Sequence, residues 1–157
     1  MSDQTLLKLM LEEPRSGGRE YARLLGVARG TVQAHVTRLE REGVITGYAP
    51  SVDPRALGFP VLAFVHLHVA QGKLDEVVTG LERVPEVLEA HSITGEGDLV
   101  CRVAARDHEH FEQVIQVLVG LPGVVRTRSE IALRERIALR VLPLLSLGPG
   151  GTPGTRR

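Results

Sequence analysis

The order of hydrophobic periods predicts an α+β chain. An N-terminal helix-turn-helix domain, winged-helix-like, is followed by a C-terminal ferredoxin-like βαββαβ domain. Three observations carry this. The first fifty residues repeat their apolar positions at helical spacing. Pro50, Pro54, Gly58 and Pro60 then punctuate the chain. Beyond them, apolar runs and amphipathic stretches follow one another as β-α-β-β-α-β, the split βαβ arrangement. The domain reading is 1–49 for the helical part, 50–60 for a hinge linker, 61–142 for the sandwich and 143–157 for a partly disordered tail.

In the helical part, Leu6, Leu7, Met10 and Leu11 mark one face of a helix that ends before Pro14. "REYARLLG" is a short second helix with Tyr21, Leu24 and Leu25 inward and Gly26 as its C-terminal turn residue. In "VARGTVQAHVTRLEREGV", Val32, Val36 and Leu39 recur at i, i+4 and i+7, and Gly43 stops the helix. Short helix, tight turn, longer helix make a helix-turn-helix, although a plain three-helix core has the same pattern. The outward side of the third helix separates the two. It carries Arg29, Thr31, Gln33, Ala34, His35 and Arg38. These are mostly hydrogen-bonding side chains suited to base edges and phosphates. Glu40 and Glu42 come later, away from the end that would enter a groove. Val44 to Tyr48 is expected as a short strand.

The second half is justified in the same way. "VLAFVHLHVA" is a Val- and Leu-rich strand. "KLDEVVTGLERV" is a helix with Leu74, Val77, Val78 and Leu81 on one face, closed by Pro85. "VLEAHSIT" and "LVCRVAA" are strands joined through "GEGD", and "HEHFEQVIQVLVGL" is a helix with Phe111, Val114, Ile115 and Leu118 inward. "GVVRTRSEIALRERIALRVL" reads as a strand run. "VPEVLEAH" and "LPGVVRTR" stand at equivalent places in the two halves, an internal echo. Both helices cover one sheet face, so the other needs a partner, and dimerisation is the expected solution. "VLPLL" is too apolar for a free tail and is expected to pack on a partner or on the sheet, whereas "GPGGTPGTRR" reads as disordered.

Bulk properties exclude several classes. The 157 residues carry a net charge of +0 and one cysteine, Cys101, so there is no disulfide framework. Its apolar neighbours make Cys101 a small core residue. No apolar run reaches membrane-span length, and the first residues mix acids among apolar side chains rather than forming a basic leader. A cytoplasmic protein without a membrane partner is expected. In 1–50, seven Lys/Arg face six Asp/Glu, so 7 − 6 = +1, and DNA binding needs a focused patch and a dimer. No nucleophile elbow or dinucleotide loop is present, so no enzyme and no cofactor is implied. His66 and His68 share a strand face, and His91 would complete a three-histidine metal site. A structural or interface role is read for the histidines.

The motifs now support a resemblance. "TVQAHVTRLEREGVITGYAPSVDPRALGF" resembles the recognition helix, glycine turn and hinge of the Lrp/AsnC "feast/famine" regulators. "VPEVLEAHSITGEGDLVCRV" and "LPGVVRTRSEIALRE" resemble that family's amino-acid-sensing RAM domain. The resemblance runs from about Leu6 to Glu135. It implies a transcription regulator that binds double-stranded DNA and responds to a small effector, an amino acid first. It also implies homodimers through the sheets, often assembled into octamers. The order of strands in the family sheet, 4-1-3-2, implies that His91 is too far from His66 to share a metal, so no metal site is expected. By resemblance, the hairpin grips the effector: Gly95 and Gly97 offer N–H groups to a carboxylate, and Asp98 or Glu96 takes the ammonium. The chain departs from the family at Ala28, where members have a helix-capping Ser, and at Gly97, where many have an aromatic. Two alternatives stand beside this reading: a paralogue that tunes oligomers without binding DNA, and a siroheme-decarboxylase-like enzyme, whose characteristic aromatics are missing around His91.

Overall fold

The computed structural model describes residues 2–147. Residues up to Ala49, with the described residues from Ile137 on, form one compact unit, and Pro50–Arg136 form a second.

The first unit holds α1 (Asp3–Glu12), α2 (Gly18–Leu25) and α3 (Arg29–Arg41). Ser2 caps α1 by accepting the Thr5 N–H. Gly26 ends α2 in the left-handed region (φ 64°), which glycine adopts without strain, and this sets the tight turn into α3. The core is Leu6, Tyr21, Ala22, Val32 and Leu39, with Leu7, Leu9, Met10, Leu25, Val27, Val36 and Ile45 against it. Leu11 and Leu24, expected inward, are exposed, and Ala22 takes the inner position of α2. The small side chain there lets α2 lie close. Tyr21 reaches across to donate its O–H to the Glu13 carbonyl at 2.8 Å.

Two expectations about chain ends are corrected. Val44–Tyr48 is not a strand. After Gly43 (φ 71°) the Val44 and Ile45 N–H groups both turn back to the Leu39 carbonyl, and among the described residues no second strand lies alongside. Tyr48 instead donates to Glu40 Oε1 at 2.7 Å, and desolvation together with that carboxylate pushes its phenol up to about 12. The "VLPLL" segment forms α6 (Leu142–Leu145), which packs on α1 of the helical unit, not on the sheet. By contact, the described residues from Ile137 on group with the helical unit. The "GPGGTPGTRR" segment lies outside the described residues.

The hinge belongs with the second unit. Asp53 caps a 3-10 turn, Pro54–Leu57, which Gly58 closes, and the Phe59 ring comes to 6.2 Å from that of His110. The sandwich follows as β1 (Val61–Val69), α4 (Leu74–Leu81), β2 (Val87–Ser92), β3 (Leu99–Ala105), α5 (His108–Val119) and β4 (Val124–Ile131). The sheet is antiparallel with order β2-β3-β1-β4, which puts β3 between His91 on β2 and His66 on β1. β4 stops at Ile131 rather than running on towards residue 142, because its partner β1 runs out: Ile131 pairs with Ala63, and Ala132 makes a last bond to the Leu62 carbonyl.

Period-two alternation places Ala63, Val65 and Leu67 of β1 and Cys101 and Val103 of β3 on the helix side, where Val77, Leu81, Phe111, Val114 and Leu118 meet them. Leu74 and Val78, expected inward, lie at the exposed rim of α4. Burial pushes the Cys101 thiol up to about 11, in keeping with a core residue. His110 is buried at the start of α5: its Nδ1 accepts the Arg106 N–H, so the proton sits on Nε2, which donates to Glu86 Oε1 at 3.2 Å.

Candidate DNA interface and hairpin site

The six recognition-helix residues do not share one environment. Arg29, Thr31, Gln33 and Ala34 are exposed, whereas His35 and Arg38 are half-buried. At about 100° per residue, Gly30, Ala34, Thr37 and Arg41 lie opposite the core stripe of Val32, Val36 and Leu39. Gln33 Nε2 donates to Thr37 Oγ1 at 3.4 Å, so the pair forms a polar ridge on that side. Thr37 and Arg41 were missed in the sequence. They stand four residues beyond Gln33 and seven beyond Ala34, a spacing that could have found them.

His35 and Arg38 turn instead to α1. Asp3 Oδ1 receives His35 Nδ1–H at 2.8 Å and also Arg38 Nη2. The His35 hydrogen bond, chiefly, holds the Asp3 carboxyl below its ordinary range; burial opposes it, and the Arg38 charge adds a lesser lowering. Because Nδ1 donates to Asp3, the 3.3 Å approach of Arg38 Nη2 to the same nitrogen is a contact and not a second hydrogen bond. Ala28 makes no side-chain cap, as its side chain dictates, and Gly17 leaves α2 without one too. The first N–H groups of both helices are therefore free for an anion. Among the described residues, Arg15, Arg19, Arg29 and Arg41 form no ion pair, while Lys8 and Arg23 pair within their own helices. Arg15 and Arg19, before and at the start of α2, were also missed. Arg19 has no acid three or four residues away, which is its signal; Arg15 follows Glu12 by three residues, so spacing does not single it out.

The predicted hairpin residues are brought together in a six-residue loop, 93–98, between β2 and β3. Ile93 N–H bonds the Asp98 carbonyl and Asp98 N–H bonds the Leu67 carbonyl, so the loop is pinned to β1. Asp98 Oδ2 accepts the Val69 N–H at 2.7 Å, at the irregularity where β1 and β4 change register. Its other oxygen has no partner among the described residues. Glu96 is engaged by Arg128 Nη1 at 2.8 Å, and Arg128 also holds Glu130. No sequence signal singled out Arg128, because only the sheet order brings β4 beside the loop. Gly95 (φ 104°) and Gly97 (φ 96°) both need the glycine region. A side chain at Gly97 would be strained and tight, since its Cβ would lie 3.2 Å from the Leu67 carbonyl oxygen. The N–H groups of Gly95, Glu96 and Gly97 donate to nothing within the described residues.

The uncovered sheet face is not simply aliphatic. The register places Leu62, Phe64, His66 and His68 of β1 there beside Val100, Arg102 and Ala104 of β3, with Arg126, Arg128 and Glu130 of β4. His66 Nδ1 and Arg102 Nε are enclosed without a hydrogen-bond partner. Among the described residues no helix is long and apolar enough to cross a membrane.

A helix-turn-helix with a free outward face on its second helix, joined to a split-βαβ sandwich bearing a pinned glycine hairpin, defines a DNA-binding transcriptional regulator with a ligand-binding domain. The comparisons specify which. Residues 62–142 match the Lrp/AsnC ligand binding domain and residues 2–46 match a winged helix-turn-helix DNA-binding domain. The chain belongs to the Lrp/AsnC family. It is 29% identical over 142 residues to the HTH-type transcriptional regulator FL11 of Pyrococcus horikoshii, covering 90% of this chain and 94% of that one. It is 36% identical over 107 residues to the regulator Ptr1 of Methanocaldococcus jannaschii, covering 68% and 72%. Among solved structures it is similar to E. coli AsnC, with TM-score 0.82, 25% identity and coverage of 90% and 96%. It is also similar to a feast or famine regulatory protein of M. tuberculosis complexed with L-methionine, with TM-score 0.79, 30% identity and coverage of 87% and 92%.

Proposed function

We propose that this regulator reads duplex DNA with the exposed side of α3 and responds to an amino acid at the β2–β3 hairpin. The observation that carries the DNA reading is the free outward face of α3, from Arg29 through Gln33 and Ala34 to Thr37 and Arg41. Gln33 is suited to a base edge and Arg29 to a phosphate or guanine. Arg15 and Arg19 add phosphate contacts beside the uncapped start of α2. Gln33→Ala should shift sequence preference with a loss of about tenfold on the best site, whereas Arg29→Ala should weaken binding to every duplex. Gel-shift titrations on duplexes selected from a random pool by the unmodified protein check both. Equal affinity of the Gln33→Ala protein for selected and scrambled duplexes, matching wild type on each, would remove Gln33 from the reading.

For the effector, the three free N–H groups of Gly95, Glu96 and Gly97 suit a carboxylate, and the open oxygen of Asp98 suits an ammonium. The M. tuberculosis protein complexed with L-methionine supports an amino acid here. A thermal-shift screen of the twenty amino acids should give at least one that raises the melting temperature, and Asp98→Ala should abolish that rise. No response to any of them would set the effector reading aside. Glu96 is the weaker acceptor, since Arg128 already neutralises it.

Self-association through the uncovered sheet face completes the reading. The exposed Phe64, with Leu62 and Val100 beside it on that face, favours a partner surface there over water. The partner is a second copy, with octamers as the further assembly that family resemblance implies. In this reading the protein is a cytoplasmic regulator and not an enzyme.

A further inference from the structure

We infer that Arg38 and His35 serve DNA recognition as positioning residues, acting through Asp3, and not as contacts to the nucleic acid. His35 and Arg38 are three apart on α3 and so lie on one side of it, a turn from each other. That side flanks the core stripe of Val32, Val36 and Leu39 and faces the first turn of α1. There a single oxygen, Asp3 Oδ1, takes a hydrogen bond from each. The three side chains keep only 27% to 40% of their surface, in contrast to the exposed outward face.

The trio is charge-neutral when His35 is neutral, so it adds no net attraction to a phosphate. It does set one degree of freedom. Leu6 of α1 otherwise shares only a mainly aliphatic core with Val32 and Leu39 of α3, and such contacts resist separation but resist sliding and rotation weakly because they are non-directional. Two hydrogen bonds converging on one oxygen are directional. They hold the angle at which α3 offers Gln33, Ala34 and Thr37. Asp3 is itself held in place, because Ser2 caps the same turn of α1.

The test is DNA affinity against salt, using a duplex selected by the wild-type protein and variants shown by circular dichroism to be folded at the assay temperature. D3N and R38Q should each weaken binding roughly tenfold. The D3N/R38Q double variant should be no weaker than the poorer single one, since both break one device. The slope of log affinity against log salt should stay at the wild-type value. The exchanged pair D3R/R38D should recover affinity relative to R38D alone, which a lost phosphate contact would not do. A slope flattened by about 0.9 in R38Q, with D3N binding like wild type, would make Arg38 a phosphate contact and overturn the inference. Tighter binding by D3N would equally overturn it, by showing that Asp3 merely withholds Arg38 from DNA. Should D3N not fold, His35→Ala keeps the ion pair and removes one donor. Weaker binding at an unchanged slope then supports the clamp, and wild-type affinity overturns it.

Discussion

Leu6→Ala should melt the helical unit and abolish specific DNA binding while leaving the sandwich folded. Leu6 is wholly buried in α1, against a core of only four other buried residues, Tyr21, Ala22, Val32 and Leu39. Truncating such a leucine costs about 2–5 kcal/mol, from lost transfer energy and the cavity left behind. A small unit has a total stability near the low end of about 5–15 kcal/mol, so this loss is a large part of it. The sandwich has its own core, centred on Val65, Leu67, Cys101, Val103 and Leu118, and among the described residues the two cores have no buried residue in common. Thermal melts followed by limited proteolysis should show early cleavage in residues 2–49 and a protected fragment beginning near Pro50. Wild-type melting and wild-type gel shifts for the variant would show that α1 is not what the recognition helix rests on.

The second large effect is expected at the hairpin. Gly97→Ala should destabilise the sandwich by about 1–3 kcal/mol and abolish any amino-acid-induced thermal shift. Two costs combine there. At φ 96° an L-residue is strained, and its Cβ would meet the Leu67 carbonyl oxygen at 3.2 Å, which as backbone cannot swing aside. Relief would require the loop to lift, breaking the Asp98 N–H bond to the same carbonyl and the Val69 N–H bond to Asp98. Gly95→Ala provides the comparison. It has the same backbone strain at φ 104° but nothing within 4 Å of the added carbon, so its cost should be the smaller. Urea midpoints of the two variants decide the matter. If Gly97→Ala were no less stable than Gly95→Ala, the approach to β1 would not be what demands glycine.

The same hairpin shows how far sequence reading could go. "TGEGD" announced a turn between strands, and glycine chemistry was sufficient for that. That Asp98 spends one oxygen on the Val69 N–H could not be read, since Val69 is 29 residues away in the chain. Arg128 was equally hidden: its place beside Glu96 follows from β4 lying on the far side of β1. The recognition helix gave a matching lesson. Its core stripe was legible because Val32, Val36 and Leu39 obey the 3.6-residue period. His35 and Arg38 were grouped with the outward residues because polarity alone does not tell a side chain that faces water from one that faces a carboxylate on another helix.

Misread elements have the same origin. Val44–Tyr48 has strand-like residues, but a strand needs a neighbour, and none is there among the described residues. The run after Ile131 has them too, but β1 ends first. The apolar "VLPLL" called for burial, but it only rests against α1, with Val141 and Leu144 still exposed, and which surface it met was decided by where the chain goes after the sheet.

By itself the sequence determined the local periods, the turns that need glycine, the order of helices and strands and, through motif spacing, the family. Those depend on interactions between residues a few positions apart. Tertiary structure alone decided which acids and bases meet: Asp3 with His35 and Arg38, Glu96 with Arg128, and Asp98 with the end of β1. Each joins residues 29 to 35 positions apart, and their direction is set by packing of elements whose apolar faces carry no record of which polar neighbours will meet.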